Sequence, residues 1–373
     1  MARAEAIIDL AAIDSNVRSL LSRTKAIGLA VVKADAYGHG LVPVARCALS
    51  AGAKWLGTAL LEEAVALRQA GVAAPTIAWL TPPSDDFEQA LRSQIDLAIP
   101  SLDHLAAVLA AAERSGVTPR LHLEVDTGMS RGGALSQWRA LCEQAAELAR
   151  AGKIEVIGIW SHLARADEPE HEFNAFQLSE FESAVELARS VGLTPKIIHL
   201  GNSAAALTKP NFHFDMIRLG ISMYGLSPDP QRVGQSDELG LKPAMSLRAR
   251  LHLVKEVPAN SQVGYGGTAR TERATKLGVV AMGYADGIPR SANNLAGVLV
   301  GNKRAPIIGR VSMDQFVVDL GNDSVARAGD WVHLIGPSGS DGYTADSWAR
   351  ACGTINYEIV TRIGPRVPRT YLD

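Results

Sequence analysis

The chain has 373 residues, of which 47% are hydrophobic and 20% are charged, and its formal net charge is −2. This length suggests two domains, and a composition so rich in apolar residues excludes an intrinsically disordered chain. The near-neutral charge, without a strong basic block, argues against nucleic acid as the main partner.

The three cysteines lie far apart, at Cys47, Cys142 and Cys352. They form neither a disulfide framework nor a CxxC metal motif, which is typical of small buried residues in a reducing compartment. The N-terminus lacks the basic segment and apolar stretch of a signal peptide, and no apolar run approaches the ~20 residues that span a bilayer. We therefore expect a soluble cytoplasmic protein.

From about residue 26 to 225, short apolar runs alternate with Ala- and Leu-rich stretches of helical period, such as 102–112, 135–150 and 173–191. Eight of the apolar runs are predicted strands, at 27–32, 55–59, 76–80, 95–99, 120–125, 154–160, 196–200 and 214–219. Eight such units predict an α/β fold with a closed, TIM-like (β/α)₈ barrel. A doubly wound open sheet is the main alternative, weakened because no GxGxxG follows an early strand.

After Pro228-Asp229-Pro230 the pattern changes to short alternating runs, with few helical periods apart from 344–351. These runs lie at 246–256, 275–283, 297–300, 305–311, 316–320 and 330–335. They predict a mostly β domain, so we divide the chain into a barrel domain, 1–235, and a β domain, 236–373. The opening strand at 4–9 precedes the barrel, and residues 1–10 can pair with either domain.

Polar residues stand at the ends of several predicted barrel strands. Lys33 follows the first strand, although burying an ammonium is costly unless the group is used. A lysine there can lose its proton and form an imine with a carbonyl compound, pyridoxal phosphate included, or it can simply extend to solvent. Polar residues at later strand ends are Arg131, His162, Asn202, Ser203 and Arg218. Alone, His162 would be a structural histidine and Arg218 an ion-pair partner, but strand ends meeting at one mouth predict an active site.

These residues belong to motifs that resemble those of the alanine racemases, a family that uses pyridoxal phosphate on a barrel scaffold. Besides Arg131, His162 and Asn202-Ser203, the matching segments are VKADAYGHG (32–40), DTGM (126–129), RLGISMYG (218–225), VGYGGT (263–268), GYADG (283–287), GRVSMDQ (309–315) and TINYE (354–358). They span nearly the whole chain in the order of the family.

The resemblance implies an isomerase that interconverts L- and D-alanine with pyridoxal 5'-phosphate and supplies D-alanine for peptidoglycan. It assigns the cofactor-bearing base to Lys33 and the base on the opposite face of the substrate to Tyr265. A tyrosine that acts as a base needs a cationic neighbour, for which Arg218 and His162 are candidates. The resemblance also implies a homodimer in which Tyr265 faces the lysine of the other subunit.

The resemblance further assigns the contacts of cofactor and substrate. Arg218 would face the pyridine nitrogen, and Arg131 would reach the phenolic oxygen and, with the backbone N–H of Met313, the substrate carboxylate. The other cofactor-binding residues would be His162, Asn202 and, for the phosphate, Tyr37, Ser203, Gly220, Ile221 and Tyr357. Tyr284, Arg310 and Asp314 would line a narrow entrance.

Two positions depart from the family pattern. Many relatives carry a carbamylated lysine where this chain has Glu124. A glutamate supplies the negative charge directly, so we predict no carbamylated lysine there, although its shorter reach leaves its contact with Arg131 open. Ser312 replaces a cysteine found in some relatives, which we expect to matter little because no step requires a thiol.

Other interpretations stay open at this point. One is an amino-acid racemase of broader specificity, for example toward serine, and another is a non-catalytic pyridoxal phosphate carrier. A pyridoxal-dependent decarboxylase of the same barrel type is disfavoured, since it would need an acidic partner for the ring nitrogen where this chain has Arg218. A metal-dependent hydrolase is disfavoured because no His-x-His cluster stands at the strand ends.

Overall fold

The computed structural model describes residues 2–336 and 339–372, which fall into two compact units. The barrel unit comprises residues 13–36 and 41–241, and the sheet unit comprises the described residues up to 12, the short segment 37–40 and those from 242 onward. Within the described residues, no helix is long and apolar enough to cross a membrane.

The barrel unit is built on eight parallel strands. The chain opens with β1 (Ala4–Asp9), and the barrel strands are β2 (Ile27–Val31), β3 (Trp55–Thr58), β4 (Thr76–Ala78), β5 (Asp96–Ile99), β6 (Arg120–Glu124), β7 (Glu155–Trp160), β8 (Ile197–His199) and β9 (Met216–Leu219). Their order in the sheet is β8-β7-β6-β5-β4-β3-β2-β9. The two end strands meet where the backbone N–H groups of Asp215 and Arg218 donate to the carbonyls of Ile198 and Gly201, each at 3.0 Å. The predicted barrel is therefore confirmed, with every strand within two residues of its expected bounds.

Helices follow most of the strands and cover the barrel. They are α1 (Leu10–Ser22), α2 (Lys33–Tyr37), α3 (Leu41–Ser50), α4 (Leu61–Gln69), α5 (Phe87–Arg92), α6 (Leu102–Ser115), α7 (Trp138–Arg150), α8 (Phe173–Ser190) and α9 (Ser203–Thr208). The reasons are local in α6, where Ser101 caps the first turn and Gly116, at φ 68°, ends the helix in the left-handed conformation. Leu105, Val108 and Ala111 recur at helical spacing and are buried.

The sheet unit is mostly β. Its later elements are β10 (Met245–Val257), β11 (Gln262–Val263), β12 (Ala269–Arg270), β13 (Thr275–Val280), β14 (Gly297–Val300), β15 (Lys303–Pro306), β16 (Phe316–Asp319), β17 (Trp331–Ile335), α10 (Ala345–Cys352), α11 (Asn356–Thr361) and β18 (Arg369–Leu372). The long β10 is central and pairs with β1, β13 and β17. The opening strand β1 lies between β10 and β18 and thus belongs to this sheet.

Two predicted strands of the sheet unit differ from the structure. The run 275–283 is β13, which ends at Val280. The apolar run 305–311 was expected to be a single strand, but β15 ends at Pro306 and Ile307 makes only an isolated bridge to Val318. Proline cannot donate to a ladder, and Gly309, at φ 80°, turns the chain shortly afterwards. Hydrophobicity alone did not indicate this interruption.

Candidate active site

The segment α2 is not a right-handed helix, because the backbone after Lys33 forms a left-handed turn. The φ angles of residues 34–37 all lie between 52° and 54°. Non-glycine residues lose roughly 1–2 kcal/mol each in this conformation, so the turn concentrates strain beside the lysine. Two charged side chains hold it: the N–H of Ala34 donates to Glu63 at 2.6 Å, and the N–H of Leu41 donates to Asp35 at 2.8 Å. The turn leads into α3.

The surroundings of Lys33 favour its neutral amine. Burial is the main effect that lowers the pKa of Lys33 below its ordinary value. The charges of Arg131 and Arg218 lower this pKa further, whereas the charge of Glu63 raises it. The ammonium nitrogen lies 5.8 Å from the centre of the Trp79 ring. A neutral amine is the form that attacks a carbonyl carbon or accepts a proton.

Arg218 is almost fully buried in the barrel, with 4% of its surface exposed. Its guanidinium donates to the backbone carbonyls of Ser161 and Leu200 at 2.9 Å and of His199 at 3.2 Å, and it lies 3.2 Å from Nδ1 of His162. Burial lowers the pKa of Arg218 to about 10. At neutral pH the group therefore remains a cation, held in place by carbonyls from two strand ends.

His162 lies beside this cation. Burial and then the charges of Arg218, Arg131 and Lys33 hold the pKa of His162 well below its ordinary value. The imidazole is consequently neutral at physiological pH, and its Nδ1 can accept a hydrogen bond from the guanidinium. The barrel unit thus brings together four predicted site residues around one cluster of positive charge.

Asn202 and Ser203 have separate tasks at the start of α9. The side chain of Asn202 caps the helix by accepting from the N–H of Ala205 at 3.1 Å. Ser203 does not cap this helix. Its hydroxyl oxygen instead accepts from the N–H groups of Gly220 at 2.9 Å and Ser222 at 3.4 Å. The hydroxyl proton of Ser203 can therefore be donated to another group. Ile221, between Gly220 and Ser222 in the chain, is buried.

The loop after β6 folds back onto the end of its own strand. The N–H of Ala134 donates to the carbonyl of Glu124 at 2.8 Å, and that of Asp126 donates to Ala134 at 3.0 Å. A methyl group at Gly132 would lie only 3.0 Å from a carboxylate oxygen of Glu124. This closure places Arg131 next to the end of β6, although its own side chain is exposed.

Glu124 is buried near the positive charges of Arg218 and Arg131. Within the described residues, it makes no ion pair with Arg131 at 4 Å or less. Burial raises the pKa of Glu124 to about 7, and the charges of Arg218 and Arg131 oppose the rise. The carboxylate of a neighbouring residue, Asp126, is occupied by the N–H groups of Gly128 and Ser130.

In the sheet unit, Tyr265 starts a one-turn 3₁₀ helix between glycines. Gly264 and Gly266 have φ angles of 71° and 74°, a conformation that other residues rarely adopt. A methyl group at Gly266 would lie 3.4 Å from a guanidinium nitrogen of Arg310, so Arg310 lies close to the turn that carries Tyr265. The Tyr265 side chain is 72% exposed, which is unusual for a large aromatic group.

Two other predicted motifs meet in the sheet unit. The N–H of Tyr284 donates to the carbonyl of Ser312 at 3.0 Å, and that of Ala285 donates to Met313 at 2.9 Å. A methyl group at Gly283 would lie 2.4 Å from both carbonyl oxygens, so only glycine permits this approach. Met313 remains 54% exposed.

The remaining predicted residues also have partners within the sheet unit. Asp314 forms an ion pair with Arg366 at 2.7 Å. The ring of Tyr37 lies 6.2 Å from that of Tyr357 on α11. A methyl group at Gly38 would lie 2.3 Å from the carbonyl oxygen of Val360, also on α11, so this close approach again requires glycine.

Sequence reasoning missed a line of polar residues inside the barrel, which includes Asp96, His122 and His199. A signal was present in β6, which reads Arg-Leu-His-Leu-Glu from Arg120 to Glu124. Alternating polar residues in a strand buried along most of its length indicate side chains directed to one face.

Comparisons with known proteins agree along the whole chain. Residues 8–228 match the family model described as the alanine racemase N-terminal domain, and residues 244–371 match the alanine racemase C-terminal domain. An alanine racemase of Frankia casuarinae is 51% identical over 372 residues, covering 99% of this chain and 96% of the relative. One of Streptomyces coelicolor is 46% identical over 378 residues, with coverage of 100% and 96%. The crystal structure of alanine racemase from D-cycloserine-producing Streptomyces lavendulae superimposes with a TM-score of 0.98 at 46% identity, with coverage of 100% and 98%.

Proposed function

The chain belongs to the alanine racemase family, and we propose that it interconverts L- and D-alanine by a two-base mechanism with pyridoxal 5'-phosphate, supplying D-alanine for peptidoglycan. The observation that carries the proposal is Lys33, an amine with a lowered pKa at the end of a barrel strand. The full-length similarity to alanine racemases gives the substrate.

The residues of the barrel unit fit the cofactor. Lys33 would offer its amine, whose pKa is lowered, to the aldehyde, and Arg218 would offer a charged donor to the ring nitrogen. The Ser203 hydroxyl and the N–H of Ile221 offer donors to its phosphate, whereas the N–H of Gly220 orients Ser203. When bound, pyridoxal phosphate supplies an electron sink that stabilises the negative charge left on Cα after proton removal.

Arg218 has a definite effect on that chemistry. A guanidinium carries only donors and stays protonated, so it leaves a nitrogen that accepts from it unprotonated. The electron sink is then weaker than one protonated through a carboxylate. By holding the ring nitrogen without giving it a proton, Arg218 would limit side reactions such as transamination.

Racemisation needs proton carriers on both faces of Cα, because one base returning its own proton would mostly retain configuration. Lys33 would serve one face and Tyr265 the other. The exposure of Tyr265 on a rigid glycine turn supports a homodimer in which this phenol completes the site of the second subunit. The substrate carboxylate would bind Arg131 and the backbone N–H of Met313.

The entrance would be formed by the neighbouring polar side chains of Tyr284, Arg310 and Asp314. Their environment supports a defined shape: the turn that carries Tyr284 is fixed by backbone hydrogen bonds, and Asp314 is paired with Arg366. A narrow, rigid entrance would admit small amino acids such as alanine and exclude larger ones.

A mixing experiment tests the two bases and the shared site together. Lys33→Ala and Tyr265→Phe should each be inactive, whereas Tyr343→Phe, a buried tyrosine away from the predicted site residues, should remain active as the matched control. After subunit exchange between the two inactive variants, half of the dimers are hybrids with one intact site. Activity should return to about a quarter of the wild-type value. Hybrid dimers without activity would contradict the shared site, and an active Tyr265→Phe would contradict the second base.

A further inference from the structure

A line of buried polar side chains crosses the interior of the barrel and ends at Arg218. It starts at Asp96, the first residue of β5, and continues through His122 in β6 and His199 at the end of β8. All four residues are buried, with at most 4% of their surface exposed. Buried polar groups of this kind are expensive unless they are bonded to one another.

The distances connect the four groups in sequence. A guanidinium nitrogen of Arg218 lies 3.4 Å from Nδ1 of His199, and Nε2 of His199 lies 3.0 Å from Nδ1 of His122. Nε2 of His122 then lies 3.4 Å from a carboxylate oxygen of Asp96. This last contact is not a hydrogen bond, since Nε2 of His122 has no hydrogen-bond partner within the described residues, so the carboxylate acts on this nitrogen through its charge.

Only one arrangement of protons satisfies every step of the line. Arg218 has donors only, so Nδ1 of His199 must accept and the proton of that ring must lie on Nε2. This proton points to Nδ1 of His122, which must also accept, so the second ring also carries its proton on Nε2. That proton faces Asp96, a carboxylate, which can only accept. The line therefore runs in a single direction, from a cation through two neutral imidazoles to an anion.

The surrounding backbone makes room for the histidine pair. A methyl group at Gly158 in β7 would lie 2.5 Å from Nδ1 of His122. The register between β6 and β7 also shifts between Leu121 and His122. Such irregularities often direct a side chain to a functional position.

Aromatic rings enclose the line along its length. Trp160 stacks on His199 with 8° between the ring planes. The central carbon of the Arg218 guanidinium lies 5.1 Å from the centre of the Trp160 ring. Trp55 meets His122 edge to face at 5.3 Å. Burial, His122 and Arg218 together hold the pKa of His199 well below its ordinary value, which keeps this imidazole neutral.

The acidic end is fixed independently of the active site. Two nitrogens of Arg120 bind the two oxygens of Asp96 at 2.8 and 3.2 Å. Arg120 also contacts Glu155 at 3.3 Å, close to the barrel surface. The carboxylate that ends the line is thus anchored by a bidentate pair.

We propose that Asp96, His122 and His199 are positioning residues that hold the Arg218 guanidinium in the orientation it needs toward the cofactor ring nitrogen. This inference rests on the proposed function, in which Arg218 pairs with the ring nitrogen of pyridoxal phosphate. Preorganised charges act without reorganising during the reaction, so a guanidinium that can rotate would be a poorer partner.

The proton arrangement can be measured directly on wild-type protein, with and without bound pyridoxal phosphate. Nitrogen-15 NMR of histidine-labelled protein distinguishes protonated from unprotonated ring nitrogens. We expect His122 and His199 each to carry a proton on Nε2, and His199 to stay neutral between pH 6 and pH 8. A proton on Nδ1 of His199, or a doubly protonated ring in this range, would overturn the proposal. This result does not depend on any variant folding.

Three variants test the effect on Arg218. His199→Leu removes both hydrogen bonds, and His199→Gln keeps one acceptor and one donor. Glu155→Gln changes the outer partner of Arg120, which also pairs with Lys196 at the surface. We expect His199→Leu to lower kcat about tenfold or more, with KM for alanine nearly unchanged and weaker pyridoxal phosphate binding by equilibrium dialysis. His199→Gln should recover most of the loss, and Glu155→Gln should match the wild type.

The outcomes separate this inference from the proposed function. If wild-type protein neither binds pyridoxal phosphate nor racemises alanine, the proposed function fails whatever the histidine protons show. If the wild type is active and a folded His199→Leu equals it in kcat and cofactor affinity, only the inference fails. Equal losses in His199→Leu and His199→Gln would also overturn it, since the loss would then follow packing and not hydrogen bonding.

Discussion

Replacing Glu124 by glutamine should make the protein more stable at alkaline pH than at acidic pH, relative to the wild type. Burial raises the pKa of this carboxyl from its ordinary value of 4.5 to about 7 in the folded protein. Between these two values the folded state binds more protons than the unfolded state. The contribution of Glu124 to the free energy of unfolding is therefore fully present below pH 4.5 and is lost as the pH rises through 7.

The magnitude follows from the two pKa values. Linkage predicts that Glu124 lowers the free energy of unfolding of the wild type by about 2–3 kcal/mol between pH 5 and pH 8. Glutamine has nearly the same shape and does not titrate. The difference in unfolding free energy between Glu124→Gln and the wild type should thus grow by the same amount over this interval.

Urea denaturation at pH 5, 6, 7 and 8, on protein freed of small ligands, measures this difference. Glu182→Gln on α8 is the matched control, because it makes the same replacement at an exposed position. A difference for Glu124→Gln that is independent of pH would refute the argument. A difference that grows toward acidic pH would show that Arg218 and Arg131 outweigh burial.

Three further predictions concern single contacts. Ser203→Ala should destabilise the protein by about 1–3 kcal/mol in urea denaturation, because the N–H of Gly220 loses its acceptor, and an unchanged midpoint would contradict this. Gly283→Ala should lower the free energy of unfolding by about 1–3 kcal/mol and abolish racemisation, because the added methyl group meets two carbonyl oxygens. In the control Gly364→Ala, the nearest atom lies 3.9 Å from the added methyl group, so stability should be nearly unchanged. Mass spectrometry after borohydride reduction should find a pyridoxyl group on Lys33, and a wild-type adduct on any other lysine would be incompatible with the assigned role.

The barrel could be predicted because its signals are local and repeated. Each strand is a short apolar run, and each following helix has its own period and caps, as Ser101 and Gly116 show for α6. The concentration of site residues at strand ends then followed from the architecture. Lys33, His162, Arg131 and Arg218 influence one another in the structure as this argument required.

Other features depend on distant parts of the chain and left little local signal. The left-handed turn at residues 34–37 contains no glycine, and contacts from Glu63 and Asp35 hold it. The partner strands of β1 lie more than 200 residues away. The raised pKa of Glu124 results from burial by the returning loop, which its acidic side chain alone does not indicate.

The central claim is that two groups on opposite faces of Cα exchange its proton. The most direct test is to incubate the protein with pyridoxal phosphate and L-alanine in D₂O and to follow both enantiomers and their Cα deuterium. We predict that L- and D-alanine reach equal amounts with deuterium at Cα, and that Tyr265→Phe forms no D-alanine. Absence of D-alanine with the wild type, or its formation at the wild-type rate by Tyr265→Phe, would contradict the account.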